Sequence, residues 1–255
     1  MTFLYFIMLN ASVKSLYEAQ DQCLKRLKGI KPLGLTMILC GGTALARAYL
    51  HHRVSYDLDF FVDGRFDPDR LAFELGKSGI VLQNIQTESS ARYVRQLVAY
   101  TEVKDTKLKV SFIEDSYAGM FPSRLIPIGK SEFVVESLEG LFHRKLRTVS
   151  GSGYEDKPRD GRQAARDLFD LFMLDMTTQK IPNFVKVINK QGANFPEKAF
   201  LAGLAAMPWI DMMDEFEQID FDVSHPFLKQ VRSIDMMATV RSRMQEVFKE
   251  MVNLG

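Results

Sequence analysis

The stretch from Leu39 to Gly64, LCGGTALARAYLHHRVSYDLDFFVDG, restricts the fold more than any other part of the chain. An apolar run, TMILC (36–40), ends directly on Gly41-Gly42, and a helical pattern follows over 43–51. Glycine has no Cβ, so a strand can turn sharply into a helix there and another group can approach the backbone closely. The helix start presents N–H groups and a positive dipole end, which suits a phosphate, and Thr43 adds a hydroxyl donor. A Gly-Gly pair is equally the mark of a tight turn. No Lys-Ser/Thr follows it, so it is not a Walker loop.

A strand pattern covers 56–62, with Asp57, Asp59 and Phe61 on one face and Leu58, Phe60 and Val62 on the other. Two carboxylates roughly 6 Å apart repel by about 3 kcal/mol at an effective dielectric near 20. A half-buried strand accepts that only where a cation or donors compensate. Closely spaced carboxylate oxygens suit Mg²⁺, which commonly takes one or two carboxylates together with substrate phosphates. The plainer alternatives are Asp57 as a turn cap and Asp59 paired with Arg53. A calcium loop is excluded, because Leu58, Phe60, Phe61 and Val62 make a strand of the intervening residues.

Elsewhere in the first half, helices are expected over 13–29 and 67–79 and strands over 80–87, 91–102 and 107–115. From Ser131 onward the pattern is helical: 131–149, 161–178, 180–190, 196–205, 209–218 and 225–253, punctuated by prolines. The expected fold class is α+β: a small mixed β-sheet domain with flanking helices (1–130), followed by a C-terminal helical bundle (131–255). With 33 basic and 32 acidic residues the chain has no global pull toward nucleic acid or membrane, so charge-driven binding must come from local clusters. Cys23 and Cys40 have no metal-ligand spacing and are expected as buried thiols of a reducing, cytoplasmic setting. The apolar run from Phe3 to Leu9 is too short to span a bilayer and lacks a basic flank; it is expected as a buried or staple-like segment.

GGTALARAYLHHRVSYDLDFFV resembles the first motif of the AbiEii/AbiGii-type nucleotidyltransferases, within the polymerase-beta-like nucleotidyltransferase superfamily. The matching positions are Gly41, Gly42, Thr43, Ala44, Leu45, Arg53, Ser55, Asp57, Asp59 and Phe60. RQAARDLFDL (162–171) resembles a later segment of the same family, with Lys145 as its upstream lysine. The resemblance covers roughly residues 30–176. It implies a small mixed sheet with a helical C-terminal domain, and Mg²⁺-dependent (or Mn²⁺-dependent) transfer of a nucleotide from an NTP. It also implies a toxin of a toxin–antitoxin or phage-defence pair, acting on RNA, notably tRNA ends. The superfamily's third carboxylate, usually on a later strand, is missing: in KLKVSFIED the corresponding position is Ser111.

A second constellation follows on the helix expected after Ser137. Lys145 falls on the same face as Leu138, Leu141, Phe142, Leu146 and Val149, where a lysine must snorkel, pair or serve chemistry. An ion pair with Asp167 or Asp170 is one reading; contact with a triphosphate is the other. Arg162, Arg166 and Asp170 share a face of the next helix, with Asp167 adjacent. Between Arg144 and Arg166 seven basic residues face three acidic ones, a local surplus where an NTP tail or RNA backbone would lie. The insertion 151–161 reads as a loop over the site or a surface insertion. His51 and His52 lack ligand partners for a zinc site, and the methionines read as helix packing.

The expected function is therefore nucleotide transfer to an acceptor hydroxyl, which the resemblance implies is on RNA. Asp57 and Asp59 would hold Mg²⁺. Gly41, Gly42, Thr43, Arg53, Ser55, Arg162 and Arg166 would bind nucleotide. Lys145 would contact the triphosphate, with Asp167 or Asp170 orienting it or acting in catalysis. An NTP-dependent protein-modifying enzyme and a catalytically weak nucleotide-binding protein are the alternatives.

Overall fold

A computed structural model describes residues 2–89, 94–150, 164–222, 224–230 and 236–253. The start of the expected 91–102 strand, the 151–161 insertion and Arg162 lie outside the described residues, as do the side chains of the Phe3–Leu9 run. The chain forms two compact units, one of Met1–Tyr49 with Val54–Gly140, the other of Leu50–Arg53 with Leu141–Gly255.

The first unit begins with the helix α1 (Thr2–Leu27), whose last turn carries Lys25 and Arg26 where they complement the helix dipole. Next come β1 (Met37–Cys40) and α2 (Gly41–Ala44), which continues as a π-helical turn over Leu45–Leu50. β2 (Leu58–Val62) leads to α3 (Pro68–Lys77), whose start is set by Asp67: its side chain accepts from the Arg70 N–H, and Pro68 occupies the first turn. β3 (Gln83–Glu88), β4 (Gln96–Val103), β5 (Thr106–Glu114), β6 (Ser123–Ile128) and β7 (Ser131–Glu136) complete the unit.

Among the described residues, seven strands form one mixed sheet in the order β3-β4-β5-β2-β1-β7-β6. The β5–β2 and β1–β7 pairs are parallel; the other four are antiparallel. Leu58, Phe60 and Val62 of β2 are buried, as are Leu108, Val110 and Phe112 of β5. The Phe60 ring stacks on Phe112 at 5.3 Å and meets Phe133 edge-on at 5.4 Å. α1 packs on β4, β5 and β7, burying Leu16, Ala19, Cys23, Leu24 and Leu27. β2 is thus a central strand with one face wholly apolar, which sends its odd-numbered side chains to the other.

Several elements differ from the sequence reading. The strand β6 was not expected, and of the expected 225–253 helix the described residues hold a 3₁₀ turn at Leu228–Gln230 and a helix from Met236. α1 begins at Thr2, not near 13. Residues 131–136, expected as the start of a helix, are a strand. Gly129-Lys130 closes a two-residue hairpin between Ile128 and Ser131, with Gly129 at φ +58°, and Phe133 and Val135 alternate into the core. The expected helix starts only at Leu138, after Ser137, whose hydroxyl accepts from the Gly140 N–H at 3.2 Å.

The second unit is helical. After Leu50–Arg53 the chain returns to it at Leu141, within α4 (Leu138–Ser150), and continues through α5 (Ala164–Thr177), α6 (Ile181–Lys190), α7 (Glu197–Ala205), α8 (Met213–Glu217), a 3₁₀ turn (Leu228–Gln230) and α9 (Met236–Val252). α9 packs against α5, α6, α7 and α8. Its buried Val240, Met244, Val247 and Met251 recur at three- and four-residue steps, the period of a helix with one apolar face. Asp175, buried at the end of α5, joins three helices: it accepts from the Arg243 guanidinium at 2.8 Å and from the Ile181 N–H at 2.9 Å. Met212, Met236, Met244 and Met251 are buried packing residues as expected, whereas Met176 and Met213 are exposed. No helix among the described residues is long and apolar enough to cross a membrane.

Candidate active site

The face of the first unit's sheet opposite its apolar core carries the two aspartates. Asp59 on β2 is half-buried and registers against Cys40 of β1 on one side and Ser111 of β5 on the other. Its carboxylate stands against Gly41: a Cβ there would lie 2.5 Å from Asp59 Oδ2, and Gly41 has φ +67°. Any other residue would both strain the backbone and fill the space of the carboxylate. Asp57 lies just before β2 and leans the other way, toward β5, where Lys109 Nζ donates to its Oδ2 at 3.3 Å. Both side chains of that pair are more than one-third exposed, so the contact is a screened one.

The hydroxyls expected to meet phosphate are engaged inside the protein. Thr43 Oγ1 donates to the carbonyl of Asp57, and Ser55 Oγ lies 2.9 Å away on the same oxygen. A threonine hydroxyl has one proton, so with that proton on Asp57 the second contact is donated by Ser55. Thr43 and Ser55 are both buried, and Gln20 donates to the Ser55 carbonyl at 2.8 Å. Together they pin the segment before β2 onto the glycine turn, which fixes the height of Asp57.

Ser111 occupies the sheet position level with Asp59, and the neighbouring carboxylates serve elsewhere. Arg95 N–H donates to Glu114 at 3.2 Å and Tyr117 N–H to Asp115 at 2.8 Å. On the other side of β1 the structure supplies a carboxylate that sequence reasoning passed over. Glu136 ends β7, is buried, and accepts from Cys40 Sγ at 3.5 Å. Asp59 and Glu136 therefore flank Cys40 on one face of the sheet, their backbones two strands apart, on the order of 10 Å.

The remaining predicted residues meet in the second unit. Asp170 on α5 is wholly buried. Arg53 grips it through Nε to Oδ1 at 2.7 Å and Nη2 to Oδ2 at 2.8 Å; Lys145 Nζ lies 2.7 Å from Oδ2, and His52 Nε2 2.7 Å from Oδ1. Lys145 also donates to Asp167 at 2.6 Å. Arg53 forms a β-bridge with Phe221, and the Asp222 N–H donates to the His52 carbonyl at 2.9 Å, which ties 50–53 to the helical unit. Burial pushes the Asp170 carboxyl up, but Arg53 and then Lys145, with the hydrogen bonds from Arg53 and His52, outweigh it and hold the group well below its usual range. Burial likewise disfavours charge on Lys145, yet Asp167 and Asp170 leave its ammonium with a raised pKa. For His52 burial wins over the Asp170 hydrogen bond, so the ring is held neutral; its Nδ1 has no hydrogen-bond partner among the described residues. The polar stripe of α5 is thus a buried ion network at Asp170, while Arg166 one turn earlier is half-buried.

The model of the family "Nucleotidyl transferase AbiEii toxin, Type IV TA system" matches residues 22–253. The chain belongs to the AbiEii nucleotidyltransferases. Among solved structures, JHP933 from Helicobacter pylori is similar at 18% identity and a TM-score of 0.48, over 95% of this chain and 94% of that one. A "putative nucleotidyltransferase from H. pylori" is similar at 20% identity and the same TM-score, 0.48, over 96% of this chain and 97% of that one. No curated protein is significantly similar to the chain in sequence.

For this AbiEii-family enzyme, the resemblance read from residues 41–60 is therefore sound, and the geometry sorts the predicted positions. Gly41, Gly42, Thr43, Ser55, Asp57 and Asp59 belong to the first unit; Arg53, Lys145, Arg166, Asp167 and Asp170 belong to the second. His52, Lys109 and Glu136 were missed. The alternation in KLKVSF would have placed Lys109 on the face of Ser111, and that in SEFVVE would have shown Glu136 as a strand residue. His52 carried no such signal.

Proposed function

We propose that this AbiEii-family toxin transfers the nucleotidyl group of an NTP to a hydroxyl of RNA, with Mg²⁺ held by Asp57 and Asp59. The observation that carries the reading is the carboxylate face of β2, where Asp59 fills the space that Gly41 leaves by lacking a Cβ. Hard oxygen donors at adjacent same-face positions fit a magnesium ion. Among the described residues no three His, Cys, Asp or Glu gather into a metal cage, so substrate phosphates and water would complete the shell. When bound, the metal supplies positive charge to the triphosphate and to the departing pyrophosphate.

The chain's own residues do the rest. The glycine turn admits the phosphates close to backbone N–H groups, which at a helix start have no intrahelical acceptor. Lys109 supplies a half-exposed cation beside Asp57. In the second unit Asp167 and Asp170 hold the Lys145 ammonium in place. The acceptor oxygen forms a bond to the α-phosphorus, the bond to pyrophosphate breaks, and the hydroxyl proton passes to water. With Ser111 level with Asp59, proton removal does not run through a carboxylate on β5.

The test is incubation of the full chain with each α-labelled NTP and total RNA, with and without Mg²⁺. Label in RNA that requires Mg²⁺ and disappears in the Asp57→Ala plus Asp59→Ala variant supports the reading. Label only in protein replaces RNA as acceptor, and transfer from a γ-labelled NTP replaces nucleotidylation by phosphorylation. No label in either polymer overturns it.

A further inference from the structure

The helical unit contains a cleft of about 530 Å³ along α7 and α9, within the size range of ligand sites. Of its lining residues Leu204 and Met244 are buried, the aromatic Trp209 and Phe248 half-buried, and Arg241, Gln245 and Lys249 exposed, which puts the polar groups toward the opening. On α9 these residues fall at positions 241, 244, 245, 248 and 249, one continuous helix face. No lining residue is acidic. The acids of the same helix, Glu246 and Glu250, are bound to Arg243 at 3.0 and 2.7 Å, and Arg243 is itself tied to Asp175.

Apolar depth, aromatic walls and cations at the opening match one ligand chemistry in particular. An unpaired nucleobase stacks on aromatic faces and leaves its phosphates at the rim, where Arg and Lys neutralise them. A structural apolar cleft would not need a rim whose charges are all basic, and an electrostatic phosphate patch would not need Trp209 and Phe248. We propose that this cleft binds a single-stranded segment of RNA, seating unpaired bases against Trp209 and Phe248 and backbone phosphates against Arg241 and Lys249. Gln245 supplies an amide able to donate to or accept from a base edge. In naming RNA the inference rests on the acceptor proposed above; the stacking-and-charge chemistry of the cleft does not.

Trp209 is the only tryptophan of the chain, so its fluorescence reports on this cleft alone. Titration of the full chain with single-stranded RNA of about twelve nucleotides, oligoadenylate and oligouridylate in parallel, should quench it saturably, and added salt should weaken the effect. Arg241→Glu plus Lys249→Glu, both exposed positions, should weaken binding at least about tenfold, and Phe248→Leu by about fivefold or more. Anisotropy of labelled RNA with Trp209→Phe provides a readout independent of the fluorophore. The Asp57→Ala plus Asp59→Ala variant should keep the quenching while losing label transfer, so the two proposals fail separately. Absence of quenching by RNA overturns the inference. So does undiminished RNA binding in the charge-reversed variant, or quenching by an acidic peptide and not by RNA, which would give the cleft to a protein partner.

Discussion

Two groups of carboxylates in this molecule have opposite designs. Asp57 and Asp59 sit half-exposed on a sheet face, one beside a screened lysine and the other against a glycine backbone. Asp170 is sealed in the helical unit, with Arg53, Lys145 and His52 all directed at its two oxygens. A carboxylate so completely surrounded has no capacity left for an incoming ion and serves to fix its neighbours. Asp57 and Asp59 are instead half-exposed at the carboxylate, the arrangement a cation-binding role would need.

The largest expected effect breaks the sealed group. Asp170→Ala leaves Arg53 and Lys145 buried with one acceptor fewer, and loss of one partner from such a network typically costs about 3–5 kcal/mol. Thermal or urea unfolding should show a drop of that order. Asp170→Asn keeps the shape and tests the charge alone; a stability like the parent's would show that the network works by hydrogen bonding without ionisation. On the open group the split is reversed. Asp57→Ala plus Asp59→Ala should reduce label transfer at least about a hundredfold, about 3 kcal/mol of transition-state stabilisation. Its unfolding free energy should stay within about 1 kcal/mol of the parent, because the change relieves repulsion between half-exposed charges. A large loss of stability there would make the two groups alike and remove the contrast.

Acid sensitivity sharpens the same comparison from the helical side. His143 is buried on α4; burial first, then the charges of Arg147 and Arg144, lower its pKa to about 4. The unfolded chain takes a proton near 6.5, which the folded chain refuses until about 4. This group's stabilisation is therefore full above about pH 7, declines as pH falls from about 6.5 to 4, and changes no further below. His52, also held neutral by burial, acts in the same direction. Stability measured by thermal unfolding from pH 7.5 to 4.5 should fall by about 3 kcal/mol, and His143→Leu should flatten part of that slope.

Much of the first unit could be read in advance because its elements carry strong local signals. The apolar run into Gly41-Gly42 and the alternation around Asp57 and Asp59 each specify one geometry, and the register of β1, β2 and β5 follows from them. β7 was lost because SEFVVE is short, apolar and runs without a break into the helical period of α4; only the Gly129-Lys130 turn marks it off. The inward direction of Lys145 was visible from its helix face, and so were Asp167 and Asp170 as its partners. The role of Arg53 was not. Its partner is 117 residues away, and local spacing carries no information about such a contact. His52 was missed for the same reason, and Glu136 because its strand was missed.

The smallest expected effect tests whether the open group is open. Lys109 Nζ at 3.3 Å from Asp57 is a weak, half-exposed pair, and its loss should change folding stability by less than about 1 kcal/mol. Its consequence for cation binding has a definite sign. An ammonium beside Asp57 competes with a divalent ion for the same oxygen, so Lys109→Met should bind Mn²⁺ more tightly in the absence of nucleotide, by about twofold to fivefold, a gain of about 1 kcal/mol or less. Manganese titration followed by electron paramagnetic resonance reads this directly, without turnover. In the proposed NTP complex the same lysine would face the triphosphate, and removing a cation should then weaken nucleotide binding. Tighter metal and weaker nucleotide in one variant would place Lys109 as the ion that holds Asp57 until substrate arrives. Unchanged metal affinity would show that Asp57 is not a ligand, and the carboxylate face would then rest on Asp59 alone.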